Sequence, residues 1–178
     1  MILIKEKTLT RLNVAKITNL LVLSSIAIFV PYFFHQQWIT GPLVNAILIL
    51  TLFLAGIRSA VIVCLVPSLM ALAGGLLPPI LAPAVPFIMI SNIILVFSVD
   101  FIYLNFRSNN NQNYWLGVLV GAFFKFLFLY ASINIISRLL IKQELVKQIA
   151  IMMSWPQFAT AITGGFIAFI ILKRLRRI

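Results

Sequence analysis

Lys125 is the one cation within residues 114–137, a segment that otherwise has the composition of a membrane crossing. Gly117, Gly121 and Lys125 follow one another at intervals of four residues, so on a helix they share one face. Small residues at this spacing allow close packing between membrane helices. We therefore expect Lys125 to point into a helix bundle, where its ammonium group is suited to binding a carboxylate of a ligand. The alternatives are an internal ion pair and a side chain that extends to the membrane surface.

Asp100 is the only acidic residue within the apolar segments, and so it is the ion-pair partner to consider for Lys125. On predicted helices the two residues differ in depth by roughly 8 Å. Because of this difference, we favour a structural anchor close to Tyr103 and Asn105 as the role of Asp100.

A group of polar and aromatic residues from several segments falls at a similar predicted depth. Its members are Trp38, Thr40, Asn45, Ser91, Asn92, Tyr130, Trp155 and Gln157. A mostly apolar, aromatic wall with a few polar groups is typical of a small-molecule site. For each residue alone, an interfacial aromatic belt or an interhelical hydrogen bond is the simpler explanation. Their convergence favours a substrate-binding site that includes Lys125.

Residues for catalysis or for a resident metal are not apparent in the sequence. The chain has one histidine, His35, and one cysteine, Cys64, and no spacing resembles a metal motif. The phosphate-binding pattern GxxxxGK[ST] does not occur either. We expect no enzyme activity, no metal and no cofactor.

The elements that must position these residues are membrane helices. Residues 17–57 and 59–99 are each 41 residues long and contain no Lys, Arg, Asp or Glu. A helix of that length extends roughly 60 Å, about twice the bilayer core, so each stretch predicts two crossings. The sequence predicts an all-α integral membrane protein, a six-transmembrane-helix bundle that forms a single domain over residues 1–178. The spans lie at about 17–34, 42–57, 59–77, 84–105, 114–137 and 149–172.

Several segments interrupt the predicted spans. The second span is short and is expected to be broken or to run near the membrane edge. A tight turn at Gly56–Arg58 follows it, and residues 77–86 contain four of the eight prolines, which predicts a break. Residues 106–113 form a polar turn, and residues 138–148 an amphipathic turn or short helix at the outer interface.

The basic residues indicate how the chain lies in the membrane. With six spans, ten Lys and Arg residues lie on the side of both termini and three on the other side. This difference places both termini in the cytoplasm. The net charge of +11 is clustered at the ends of apolar runs, a pattern of membrane orientation and not of nucleic-acid binding.

Five short stretches, together with the span count and the polar positions, carry a resemblance to a known family. They are Thr40–Asn45 (TGPLVN), Val66–Leu69 (VPSL), Gly74–Pro79 (GGLLPP), Pro86–Asn92 (PFIMISN) and Ser154–Thr160 (SWPQFAT). Over nearly its whole length, the chain resembles the substrate-binding S component of energy-coupling factor (ECF) transporters.

The resemblance implies a plasma-membrane subunit that captures a vitamin or similar small nutrient near its outer face. In this family the loop after the first span and residues of spans four to six line the pocket. Trp38, Asn92, Lys125 and Trp155 fall in those segments. The S component works with a membrane T component and two ATPases, which supply the ATP chemistry.

The resemblance also implies a coupling surface for the T component, made of small residues on the first span. The usual Ala-x-x-x-Ala pattern is absent there, and the nearest features are Ala15, Asn19, Ser24 and Ala27. The competing hypothesis is a membrane assembly or scaffold protein without ligand transport. A binding subunit needs Lys125 to face a cavity together with other polar groups, whereas a scaffold needs those groups paired with one another or with Asp100.

Overall fold

The computed structural model describes residues 2–34, 36–75, 77, 79–106, 109–139 and 143–178. Within these ranges, side chains are described except at 2–13, 15, 32, 80, 81, 139 and 143–145. The helices are α1 (Ile2–Phe33), α2 (Gln37–Ala55), α3 (Ile57–Ala73), α4 (Val85–Asn105), α5 (Asn110–Leu139), α6 (Gln143–Met152) and α7 (Trp155–Arg174). A short 3-10 helix, Pro79–Ala84, precedes α4, and no strand occurs in these ranges.

Helix α2 is the centre of the bundle. It contacts α1, α3, α4 and α7, and every residue from Asn45 to Leu52 is buried. A helix that is apolar on all faces is stable only when other helices surround it. The most extensive helix contacts pair α2 with α7 and α4 with α5.

One glycine forms the connection between α2 and α3. Gly56 has φ +91°, a conformation that residues with a Cβ rarely adopt, and its N–H donates to the carbonyls of Thr51 and Leu52. The predicted tight turn is therefore confirmed. The predicted proline-rich break is also confirmed, because α3 ends at Ala73 and α4 begins only at Val85.

Four of the described helical segments are long and apolar enough to cross a membrane. They are Gln37–Ala55, Ala82–Asn105, Asn110–Arg138 and Val146–Arg174. The other two predicted spans correspond to shorter apolar helices, Lys16–Pro31 and Ile57–Ala73. At about 1.5 Å per residue, each is a few ångströms shorter than a bilayer core of about 30 Å. Six crossings, the cytoplasmic termini and the single domain stay predictions.

Three boundaries differ from those expected. Of the two expectations for the short second span, the break was wrong, since α2 starts five residues earlier and runs without interruption through Pro42, whereas a position near the membrane edge stays a prediction. The polar turn at 106–113 is shorter than predicted, because α5 already begins at Asn110; Arg107 and Ser108 lie outside the described residues. The chain also breaks at Met153–Ser154, so α6 covers the start of the predicted last span and α7 the remainder.

Buried apolar side chains form two clusters. The larger one joins α1, α2, α3, α4, α5 and α7 around residues such as Leu48, Leu95 and Val118. The smaller one lies around Leu77, Leu129 and Met153. Large apolar side chains on the outside, among them Phe101 and Leu104, are exposed in the isolated chain, as expected of surfaces that meet lipid.

Candidate functional site

A pocket of about 120 Å³ lies at the end of the bundle where α1 meets α2, α3 approaches α4 and α6 meets α7. The residues that line it are Pro31, Gln37, Thr40, Gly41, Val44, Asn45, Pro67, Ser68, Ala71, Leu77, Ile88, Asn92, Lys125, Met152 and Gln157. Most of them come from the ends of helices or from the connections between them, whereas Asn45, Asn92 and Lys125 lie further along α2, α4 and α5.

Lys125 is the charged group of the pocket. Its side chain is 2% exposed, and Nζ donates to Asn45 Oδ1 and to Asn92 Oδ1, both at 2.7 Å. Lysine has donors only, so these bonds fix the oxygen of each amide toward Nζ. The ammonium group therefore joins α2, α4 and α5 while it faces the pocket.

A further hydrogen bond extends this network to α3. Asn92 Nδ2 donates to the carbonyl oxygen of Cys64 at 3.4 Å. The bond holds Asn92 between the Lys125 ammonium and the α3 backbone. The polar groups of Asn92 thus have defined partners on two neighbouring helices.

Glycines bring the helices of this network close together. A Cβ at Gly117 would lie 3.1 Å from Val99 Cα, and one at Gly121 would lie 3.0 Å from the carbonyl oxygen of Leu95. The predicted close-packing face of α5 therefore does contact α4, one turn before Lys125. This contact explains why Lys125 points into the bundle.

The pairing of α7 with α2 depends on a third glycine. A Cβ at Gly164 would lie 2.6 Å from both Asn45 Cβ and the carbonyl oxygen of Pro42. No side chain fits there without moving a helix backbone. The α7 backbone at Gly164 therefore packs directly against α2 at Asn45.

Two glutamines close the pocket at its outer rim. Gln37 Nε2 and Gln157 Nε2 donate to the carbonyl oxygen of Met152 at 2.8 and 3.0 Å. The start of α2 and the start of α7 are thereby attached to the last residue of α6. Thr40 also lines the pocket, and its hydroxyl donates to the carbonyl of Phe34.

Of the nine predicted substrate-binding residues, five line the pocket: Thr40, Asn45, Asn92, Lys125 and Gln157. The two tryptophans pack against each other outside the lining, with ring centroids 5.2 Å apart, and are 53% (Trp38) and 62% (Trp155) exposed. Ser91 is buried and donates to the carbonyl of its own helix at Ile88, and Tyr130 is exposed beside Phe126. The structure does not bring these last four to the pocket.

Asp100 has no ion pair with Lys125 in the described part of the chain. It is only partly buried on α4, whereas Lys125 has two amide oxygens as partners. The feature expected of a binding subunit and the feature expected of a scaffold protein are therefore both present. Lys125 faces a cavity, and it is also bonded to Asn92.

The residues proposed for coupling lie in different surroundings along α1. The side chain of Ala15 is outside the described residues. Asn19 is partly buried and donates to the carbonyl of Leu54 at 3.4 Å, and Ala27 is fully buried in the core. Ser24 is partly buried. The outward face of α1 carries larger residues, including Leu21 and Phe29.

The family model of the ECF transporter substrate-specific component matches residues 15–176, which is most of the chain. The chain belongs to this family. No curated protein and no solved structure matches it. The resemblance noted from short stretches is therefore confirmed at the level of the family, and the chain is an S component, a multi-pass protein of the plasma membrane.

The pocket of this S component also contains residues that sequence reasoning missed. Gln37, Ser68 and Met152 all line it. Ser68 had a signal, since it is a polar residue within an apolar run and belongs to the VPSL stretch. Met152 contributes through its backbone carbonyl, which a side-chain pattern does not reveal.

The chemistry that the pocket offers is hydrogen bonding and charge, without a nucleophile and base in contact. Among the described residues, no group of three His, Cys, Asp or Glu side chains is placed to hold a metal ion. The lining combines one cation with amides, hydroxyls and apolar surface. This combination of groups is suited to binding a small molecule that carries polar or charged groups.

Proposed function

We propose that this S component captures a small anionic nutrient, of the vitamin class or similar, in the pocket around Lys125. The T component and two ATPases of an ECF transporter then drive its release on the other side of the membrane. The observation that carries the proposal is a buried ammonium group that faces a pocket and has only neutral amide oxygens as partners.

The charge of Lys125 is not balanced within the pocket. A lysine at the centre of a membrane helix costs about 2.5–3.5 kcal/mol even on insertion scales, and two amide dipoles lower this cost without cancelling the charge. The sequence has three acidic residues, and the only one within the apolar segments, Asp100, is not bonded to Lys125. An anionic ligand supplies the missing negative charge, and such an interaction is strong where water is excluded.

The position of the pocket supports the same proposal. It opens at the end of the bundle that holds the α1–α2, α3–α4 and α6–α7 connections. With both termini in the cytoplasm, as the basic residues indicate, this end faces the outside of the cell. A capture subunit requires a pocket on that side.

The alternative is a membrane scaffold, and one observation favours it. Lys125, Asn45 and Asn92 bond to one another, as groups that only hold helices together would do. Under this alternative, the pocket has no physiological ligand and the chain assembles with a membrane complex unrelated to transport.

The test is a mild-detergent purification of the tagged chain from its native host, followed by mass spectrometry of bound proteins and of small molecules released on denaturation. We expect a multi-span T component, two ATPases and a small anionic compound. Recovery of an unrelated membrane complex in their place would support the scaffold. A Lys125→Gln variant is the matched control, which should retain the proteins and lose the compound.

A further inference from the structure

Ser68 differs from the other buried serines of the helices. Ser91 and Ser132 donate their hydroxyls to carbonyls three and four residues earlier, at 2.7 Å in both cases. Ser68 lies in α3, lines the pocket and is 5% exposed, but its hydroxyl has no hydrogen-bond partner among the described residues. A hydroxyl so deeply buried normally has a partner.

One of the carbonyls that this hydroxyl could reach within its own helix is already occupied. The carbonyl four residues earlier belongs to Cys64, and it already accepts the Asn92 amide in addition to its helical bond. In the described part of the chain, no fully enclosed side-chain nitrogen or oxygen lacks a partner. The Ser68 oxygen must therefore touch the open volume of the pocket.

The amide nitrogen of Asn45 is a second buried polar atom that must face the pocket. Lys125 fixes Asn45 Oδ1, and Nδ2 has no partner among the described residues. Asn45 is 1% exposed and lines the pocket, so the pocket is the only open space that Nδ2 can meet. A carboxamide nitrogen carries two donors and no acceptor.

We infer that Ser68 Oγ, Asn45 Nδ2 and the remaining N–H of Lys125 together recognise the carboxylate of a compact monocarboxylate substrate. The inference rests on the proposed function and names the substrate class of that site. The three groups come from α3, α2 and α5, and all of them can donate. A carboxylate has acceptors only, about four lone-pair sites, which matches a set of donors that lacks an acidic residue.

The size of the pocket restricts the rest of the substrate. Its volume of about 120 Å³ is well below the roughly 300–1,000 Å³ of pockets for drug-sized ligands. Much of the remaining wall is apolar, including Val44, Ala71 and Ile88, and the other polar side chains on it are Gln37, Thr40, Asn92 and Gln157. The substrate is therefore a carboxylate on a small apolar or planar body.

The experiment measures binding of benzoate, acetate and the neutral benzamide to the purified full chain by isothermal titration calorimetry. We expect benzoate to bind most tightly. Ser68→Ala should raise the Kd for benzoate about tenfold, the effect of one hydrogen bond to a charged group. Asn45→Asp retains an acceptor for Lys125 but replaces the donor by a carboxylate, and it should abolish benzoate binding.

Ser132→Ala is the matched control, since Ser132 is equally buried, bonds within its own helix and does not line the pocket. It should leave the benzoate Kd unchanged. The inference is overturned if neither carboxylate binds more tightly than benzamide, or if Ser68→Ala binds benzoate as the wild type does. Recovery of the T component and ATPases does not depend on these side chains, so failure here is distinct from failure of the proposed function.

Discussion

At the scale of single residues, the pocket is organised by one charge that several amides surround. Lys125 donates to Asn45 and Asn92, and Asn92 passes the connection on to the backbone of α3. Because a hydrogen-bond network in a low-dielectric interior is costly when it is incomplete, each member constrains the orientation of the next. The unpaired donors that remain are then directed at the pocket.

Lys125→Gln tests the role of the charge. Glutamine keeps amide donors that can reach a neighbouring oxygen but carries no charge. We expect the Kd for benzoate to rise at least about tenfold, because a charge-assisted hydrogen bond is lost. The midpoint of thermal unfolding in detergent should fall only slightly, which distinguishes lost binding from lost folding.

The control for this variant is Lys173→Gln, which removes an exposed cation at the end of α7 that contacts Phe169. It should bind benzoate as the wild type does. Equal binding by wild type and Lys125→Gln would contradict the proposal of an anionic ligand.

Part of this residue-level arrangement could be predicted from the sequence. The four-residue spacing of Gly117, Gly121 and Lys125 predicted the direction of the lysine, since helix geometry is local. Its partners could not be predicted, because Asn45 is 80 residues away along the chain and the contact depends on how α2, α4 and α5 pack. The bond from Asn92 to the Cys64 carbonyl, which lies one turn before Ser68, comes from another helix, and no local pattern contains it.

At the scale of the elements, the site depends on how closely α2 and α7 approach. Gly164 allows the α7 backbone to lie against Pro42 and Asn45, and Gly41 lies against Thr160 in the same interface. Close approach of backbones through small residues is a main source of affinity between membrane helices, because lipid removes the hydrophobic driving force. This interface holds one wall of the pocket in place.

Gly164→Ala tests the interface. The added Cβ would lie 2.6 Å from the carbonyl oxygen of Pro42, an atom of the helix backbone that cannot rotate away. We expect a loss of about 1–3 kcal/mol in the free energy of unfolding, the usual cost of overpacking, together with weaker benzoate binding as Asn45 is displaced.

Thr163→Ala is the neighbouring control, because Thr163 is exposed and bonds only to its own helix at Ala159. Both variants are compared by thermal unfolding in the same detergent. A Gly164→Ala protein as stable as Thr163→Ala would show that α7 can move away from α2 at little cost.

The sequence predicted the type and approximate position of the elements better than their ends. Apolar composition located all six apolar helices, whereas the shortness of the predicted second span suggested a break that α2 does not have. Pro42 lies in the second turn of α2 and removes one helical hydrogen bond, but a single proline does not end a helix that packs against four others. At the break at Met153–Ser154, Pro156 follows at the start of α7 and has no N–H to donate to the carbonyl of Met152, which accepts from Gln37 and Gln157 instead.

At the scale of the whole molecule, the topology depends on the two shorter apolar segments, Lys16–Pro31 in α1 and Ile57–Ala73, which is α3. The 17 residues of α3 extend about 26 Å, a few ångströms less than a bilayer core. If both segments cross, the pocket and the two termini lie on opposite sides of the membrane. If α3 does not cross, the α2–α3 turn and the end of α3 share a side.

Single-cysteine labelling in a Cys64→Ala background distinguishes these cases. The substitutions Gln36→Cys, Arg58→Cys, Ala73→Cys and Arg177→Cys are at exposed positions. With six crossings, a membrane-impermeant maleimide added to intact cells should label positions 36 and 73 but not 58 and 177. All four should react after permeabilisation. Labelling of 58 and 73 from the same side would exclude a crossing by α3.

The tryptophan pair beside the pocket gives the protein an optical reporter of its own. Trp38 at the start of α2 and Trp155 at the start of α7 are two of only three tryptophans, and their rings are close enough for their electronic transitions to couple. Such coupling produces a signal in near-ultraviolet circular dichroism that depends on ring separation and angle. Separation of α2 and α7 at the mouth would reduce this signal, so opening of the pocket can be timed without any attached label.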